Sequence, residues 1–189
     1  MSTRQSNAAI NLPNALTLIR LLLTPLFVIL LLRDQITPAL VVFCLAGISD
    51  GLDGFIARYF DQRTLIGAYL DPVADKALLM SAFVCLAIMG MLPDWLTVMV
   101  LSRDILIVIG IAILTVTEKK YHIHPSLVSK CTTVAQIAMV IVSLMATGIP
   151  LLQAVKVVLV PVTAALTAIS GLHYVYIGMN MLQSDSGSP

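Results

Sequence analysis

The sequence predicts an all-α protein that crosses a membrane with six helices. Two observations carry this. Hydrophobic residues make up 59% of the 189-residue chain and charged residues only 11%, whereas a soluble domain carries about 25% charged residues. The mean hydropathy is +0.98, and the apolar residues gather into six runs, each near the roughly 20 residues that a helix needs to cross a bilayer core. Backbone groups in lipid must be satisfied within their own segment, so helix is the default for each run.

The runs fall near 15–32, 37–57, 66–90, 95–117, 132–152 and 155–181. The first follows a polar or interfacial segment, 1–14, that ends in Asn11-Leu12-Pro13-Asn14. Arg4 precedes this run, but no small-residue cleavage site follows promptly, so it reads as a membrane helix and not a secretory signal. Pro93-Asp94, the stretch 118–125 and the Pro150 region separate the later runs. The tail 184–189 is small and polar and is expected to be disordered. The chain reads as a single membrane domain over 1–189.

Net charge is +1, which gives no reason to expect nucleic acid as a partner. The positions of the charges are more informative. With the N-terminus inside, Arg4, Arg58, Arg63, Lys119, Lys120 and Lys130 fall on the cytoplasmic side and only Arg33 and Lys156 outside, as the positive-inside rule favours. Both termini are then cytoplasmic. Cys44, Cys85 and Cys131 lie far apart in apolar stretches and read as small buried hydrophobes. The nine methionines read as packing filler between helices.

Acidic residues are costly within membrane spans and usually mark function. Asp50 and Asp53 close the second run, and Asp71 and Asp75 open the third. A helix advances about 100° per residue, which puts Asp50, Asp53, Gly54, Ala57 and Arg58 on one face. Asp71 and Asp75, four apart, share a face of the next helix. Two antiparallel helices joined by a short connection can bring four carboxylates to one level near the cytoplasmic interface.

Such an oxygen-rich cluster suits Mg²⁺, Mn²⁺ or Ca²⁺, and two such ions, with Mg²⁺ or Mn²⁺ expected, can clamp a diphosphate. Gly54, Ala57 and Gly67 leave room for a nucleotide beside the acids, and Arg58 offers a planar fork to a phosphate. Asp71-Pro72 also fits a helix N-cap followed by proline at the first helical position. An EF-hand does not fit, because Asp50-Gly51-Leu52-Asp53-Gly54 lacks the alternating oxygen ligands.

These residues spell D-x2-D-G-x2-A-R-x8-G-x3-D-x3-D, eight fixed residues without departure. The pattern is the signature of the CDP-alcohol phosphotransferase family, which this sequence resembles over most of its length. The resemblance includes Asn11-Leu12-Pro13-Asn14-Ala15-Leu16-Thr17 with Arg20, Ser102-Arg103-Asp104 and Pro125-Ser126-Leu127-Val128-Ser129-Lys130. It implies six helices around a polar cavity open to the cytoplasm, in a homodimer. It further implies that Asp50, Asp53, Asp71 and Asp75 hold two metal ions, with Asp75 as general base. Asp50, Asp53, Gly54, Ala57, Arg58 and Gly67 would bind the CDP moiety of CDP-diacylglycerol, and CMP would leave.

Within the family the sequence is most similar to the cardiolipin-forming and glycerophosphate-using branches. Ser102-Arg103-Asp104 and Ser129-Lys130 with Thr133 and Gln136 resemble the former, so phosphatidylglycerol is the expected acceptor and glycerol-3-phosphate the alternative. Arg103, Lys130 and Arg20 are the acceptor or phosphate candidates. Arg103 lies inside the fourth run, where a charge invites a functional reading. An ion pair with Asp104 is the other reading, although adjacent helical residues do not face each other. Lys130 and Arg20 could equally snorkel. His122 and His124 read as a solvated loop, and His173, Tyr174 and Tyr176 as interfacial aromatics.

Two further classes share some of these features. A membrane prenyltransferase also uses aspartate pairs, but residues 105–189 hold only Glu118 and Asp185 as acids. An ion transporter could use the acids as a cation site, but gives no reason for Gly54, Ala57 and Arg58 at fixed offsets.

Overall fold

The computed structural model describes residues 12–59, 65–116 and 127–183, with side chains described for 19–49, 76–109 and 127–176. It contains six helices: α1 (Leu12–Leu32), α2 (Ile36–Tyr59), α3 (Leu65–Ile88), α4 (Asp94–Val116), α5 (Leu127–Met145) and α6 (Pro150–Gln183). No strand occurs among the described residues. Each expected run is thus a helix. The tail 184–189, the stretch 118–125 and most of the segment 1–14 lie outside the described residues.

The bounds of α1, α5 and α6 differ most from the expectation. Helix α1 begins at Leu12 rather than 15, because Pro13 lies in the first turn, where its missing N–H is no loss. Helix α5 covers Leu127–Met145 rather than 132–152. Pro150 does not lie within this span but opens the next. Leu152 and Gln153 donate to Ile149 O, at 3.0 and 3.3 Å. Ile149 is therefore the cap and Pro150 the first helical residue, as its fixed φ favours.

Helix ends are closed by backbone geometry. After α1, Gln35 N donates to Leu30 O and Asp34 N to Leu31 O, both at 2.9 Å, around Asp34 at φ 56°. After α3 the same pairing recurs around Gly90 at φ 69°, with Met91 N on Leu86 O and Gly90 N on Ala87 O, both 2.8 Å. These are Schellman caps, which satisfy the last carbonyls through one left-handed residue. Asp94 then opens α4, where a negative charge suits the helix N-terminus.

The chain forms two compact units, Met1–Ser81 and Ala82–Pro189. In the first, α1 packs along α2. Arg20, Thr24, Phe27 and Leu31 form the buried stripe of α1, and Ala39, Phe43 and Ala46 that of α2. The rings of Phe27 and Phe43 lie 5.5 Å apart, and the small Ala39 and Ala46 permit close approach of the helices. In the second unit α6 packs against both α4 and α5. Thr97 Oγ1 donates to Phe83 O at 3.3 Å, tying α4 to the end of α3.

Much apolar surface lies outside the helix packing, and several polar groups lie inside it. Leu22, Leu32, Ile88, Leu151, Val157 and Leu172 are well exposed, while Arg103, Asp104, Thr132 and Gln136 are buried. On α6 the buried residues, among those described, are Thr163, Thr167 and Ser170. Large exposed apolar area with polar groups inside is the pattern of helices surrounded by lipid. Among the described residues two helices are long and apolar enough to cross a membrane, Leu127–Met145 and Pro150–Tyr176. The described apolar stretches Ile19–Leu32, Ile36–Ser49 and Lys76–Ile88 are shorter.

Candidate active site

The acidic motif lies on continuous helix. Asp50, Asp53, Gly54, Ala57 and Arg58 occupy the last turns of α2, and Gly67, Asp71 and Asp75 the first turns of α3. The helical backbone on which the spacing argument depends is therefore present at both segments. The side chains of these eight residues lie outside the described part, as do His122 and His124. Asp71 falls inside α3 as its seventh residue, past the first turn that begins at Leu65. It is not the N-cap that Asp71-Pro72 suggests, because a cap precedes the first helical residue.

In the second unit a polar cluster forms around Arg103. This side chain is 3% exposed and Asp104 is 1% exposed. Arg103 Nη1 donates to Asp104 Oδ1 at 2.6 Å. Nη2 donates to Ser129 Oγ at 2.7 Å and to Ser170 Oγ at 2.8 Å, and Nε to Ser170 Oγ at 3.2 Å. The ring of Tyr174 lies 5.9 Å from the guanidinium carbon, within cation–π range. One arginine thus joins α4, α5 and α6.

This corrects one expectation. Arg103 and Asp104 do form an ion pair although they are adjacent. The rule that neighbours diverge describes Cβ directions, and the long arginine side chain folds back past it.

Other candidates lie as follows. Lys130 is exposed in the first turn of α5. Arg20 is fully buried in α1 and does not snorkel. Thr24 Oγ1 donates to Arg20 O at 3.0 Å. Thr133 Oγ1 back-bonds to Ser129 O at 3.1 Å. Gln136 is fully buried. Cys85 is buried and Cys44 half-buried, but Cys131 is exposed, contrary to the expectation of three buried thiols. His173 is exposed, and Tyr174 is half-buried over Arg103 instead of being a free interfacial aromatic.

Ser170, Asp104 and Tyr174 were not singled out from sequence as site residues. A signal was available: Thr163, Thr167, Ser170 and Tyr174 recur at helical spacing in an otherwise apolar helix, marking one polar face of α6. A second level of this seam is visible one turn away. Thr132 Oγ1 donates to Val128 O at 2.8 Å and across to Leu166 O at 3.1 Å. Leu166 O is the carbonyl four residues before Ser170, the usual partner of a back-bonding serine. Ser170 Oγ accepts from Arg103 Nε and Nη2.

Comparison with known proteins identifies the family. The family described as CDP-alcohol phosphatidyltransferase matches residues 10–169, a stretch that runs through both units. Cardiolipin synthase (CMP-forming) of Rattus norvegicus is 32% identical over 193 residues, covering 93% of this chain and 64% of the relative. The Homo sapiens protein of the same name is 33% identical, covering 91% and 63%. The CDP-diacylglycerol–glycerol-3-phosphate 3-phosphatidyltransferase of Aquifex aeolicus is 32% identical over 180 residues, covering 91% of this chain and 98% of the relative. The chain thus spans less than two thirds of the length of its rat and human relatives. By its motif and by the extent of the match, the chain belongs to the CDP-alcohol phosphatidyltransferase family.

Proposed function

We propose that this chain is a multi-pass membrane enzyme that transfers a phosphatidyl group from CDP-diacylglycerol to a glycerol-type acceptor and releases CMP. The observation that carries the reading is the complete acidic motif, borne on the helical ends of α2 and α3 in a member of this family. The chain acts as one domain with six membrane crossings, a polar cavity open to the cytoplasm, both termini on that side, and a second copy as partner. The exposed apolar surface of the described helices supports membrane residence.

Asp50, Asp53, Asp71 and Asp75 offer the all-oxygen donor set that fits two Mg²⁺ or Mn²⁺ ions. Bound there, the ions would offset the negative charge of the diphosphate and of the departing CMP. The remaining work falls to the chain itself. Gly54, Ala57 and Gly67 admit the nucleotide, and Arg58 donates to a phosphate. Asp75 takes the proton of the acceptor hydroxyl as its oxygen attacks the phosphorus next to the lipid. The bond from that phosphorus to the CMP oxygen breaks. General-base assistance of this kind contributes roughly 10²–10⁴-fold. Of the three cationic candidates Arg103, Lys130 and Arg20, Lys130 is the exposed one and serves the phosphate group of the acceptor, while Arg103 and Arg20 are buried.

The acceptor in this reading is phosphatidylglycerol, so the product is cardiolipin. Ser102-Arg103-Asp104 and Ser129-Lys130 with Thr133 and Gln136 support it. Glycerol-3-phosphate is the second reading, favoured by the match to nearly the whole Aquifex aeolicus relative. Product identification separates them. Purified protein receives CDP-diacylglycerol and Mg²⁺ with either acceptor. Cardiolipin confirms the first reading. Phosphatidylglycerophosphate keeps the chemistry and changes the acceptor.

A further inference from the structure

Arg103 is the only arginine in residues 82–189, and its donors are almost fully engaged. A guanidinium has five N–H groups. The four hydrogen bonds to Asp104, Ser129 and Ser170 leave at most one for a ligand. Asp104 already balances its charge at 2.6 Å, and Tyr174 covers its face. At 3% exposure such a group is badly placed to grip a phosphate itself. It is well placed to hold α5, because Ser129 immediately precedes the exposed Lys130.

We propose that Arg103 is a positioning residue. Clamped by Asp104, Ser170 and Tyr174, it fixes Ser129 and thereby the first turn of α5, so that Lys130 meets the anionic phosphate of the acceptor. This rests on the reading of Lys130 as an acceptor residue. The planar fork is essential to the role, since an ammonium cannot reach three helices in fixed directions. Ser170 and Tyr174, on α6, become part of acceptor recognition without touching the acceptor. The phosphate in question is the diester of a lipid headgroup or the monoester of a soluble glycerol phosphate.

The test uses the purified full chain with CDP-diacylglycerol, Mg²⁺ and each acceptor in turn. Ser129→Ala and Ser170→Ala should each raise the acceptor KM about tenfold, as loss of a hydrogen bond to a charged group would. The donor KM should stay unchanged, and Ser129→Thr should restore the wild-type value. Arg103→Lys should resemble Ser129→Ala despite keeping the charge, and combining the two should add nothing further, since both break one link. An effect confined to phosphatidylglycerol assigns the site to the diester, and one confined to glycerol-3-phosphate to the monoester.

Cys131, exposed on the same turn, gives a readout independent of activity. Its maleimide labelling, followed on its own peptide, should accelerate severalfold in Ser129→Ala and Ser170→Ala. If neither acceptor yields CMP, the functional reading fails, and labelling still decides whether Arg103 positions this turn. Unchanged labelling would overturn the proposal. So would an unchanged acceptor KM in both serine variants alongside a raised one in Arg103→Lys, which would mean that Arg103 contacts the acceptor directly.

Discussion

Arg103 places two donors, Nε and Nη2, on the single hydroxyl of Ser170, at 3.2 and 2.8 Å. The pair links the middle of α4 to α6 within an apolar setting, where a half-satisfied polar group costs far more than in water. The Ser170 hydroxyl, fully buried, is the acceptor that makes the buried fork affordable.

Removing the counter-ion should therefore be harsh. Asp104→Ala leaves Arg103 buried and uncompensated, and breaking a buried pair from one side costs about 3–5 kcal/mol. Thermal unfolding of the detergent-solubilised protein should show a large fall in midpoint. Arg103→Met with Asp104→Leu, which removes both charges, should recover much of it. A similar loss in the single and double variants would show that the charge itself is not the cause.

The acidic motif makes a different forecast. Asp75→Asn should abolish turnover, while binding of CDP-diacylglycerol in the presence of metal largely survives. An amide keeps the shape and one oxygen of the carboxylate but cannot take the acceptor proton. Turnover at the wild-type rate would remove Asp75 as the base.

Metal dependence follows from the same four carboxylates. Chelation with EDTA should abolish CMP release, and Mg²⁺ or Mn²⁺ should restore it, whereas Zn²⁺ is poorly suited to an all-oxygen set. Full activity in the presence of excess chelator would contradict the assignment.

The cap after α3 can be tested without touching the site. Gly90 sits at φ 69° with nothing within 4 Å of an added Cβ. Gly90→Ala meets no neighbour, so its cost of about 1 kcal/mol is the left-handed backbone alone. A slightly lowered unfolding midpoint with unchanged kinetics is expected.

How much of this could be read beforehand depends on where the information is stored. The helices were legible because each is a long apolar run, and the family was legible because its motif is a fixed spacing. The α5–α6 boundary was misread because Pro150 breaks a helix from inside but starts one at the first position, and only the Ile149 carbonyl pairing distinguishes the two. The Arg103–Asp104 pair was discounted because residue spacing on a helix ignores side-chain reach. Ser170 and Tyr174 were passed over because their roles depend on which helix lies opposite, a tertiary fact. Their helical spacing with Thr163 and Thr167 was the one local trace of it.

The most direct measurement is CMP release set against phospholipid formed, using purified protein, CDP-diacylglycerol, Mg²⁺ and phosphatidylglycerol, with Asp75→Asn in parallel. Equimolar CMP and cardiolipin from the wild type, and neither from the variant, is the expected result. No CMP from the wild type, with glycerol-3-phosphate offered as well, would contradict phosphatidyl transfer as the function of this chain.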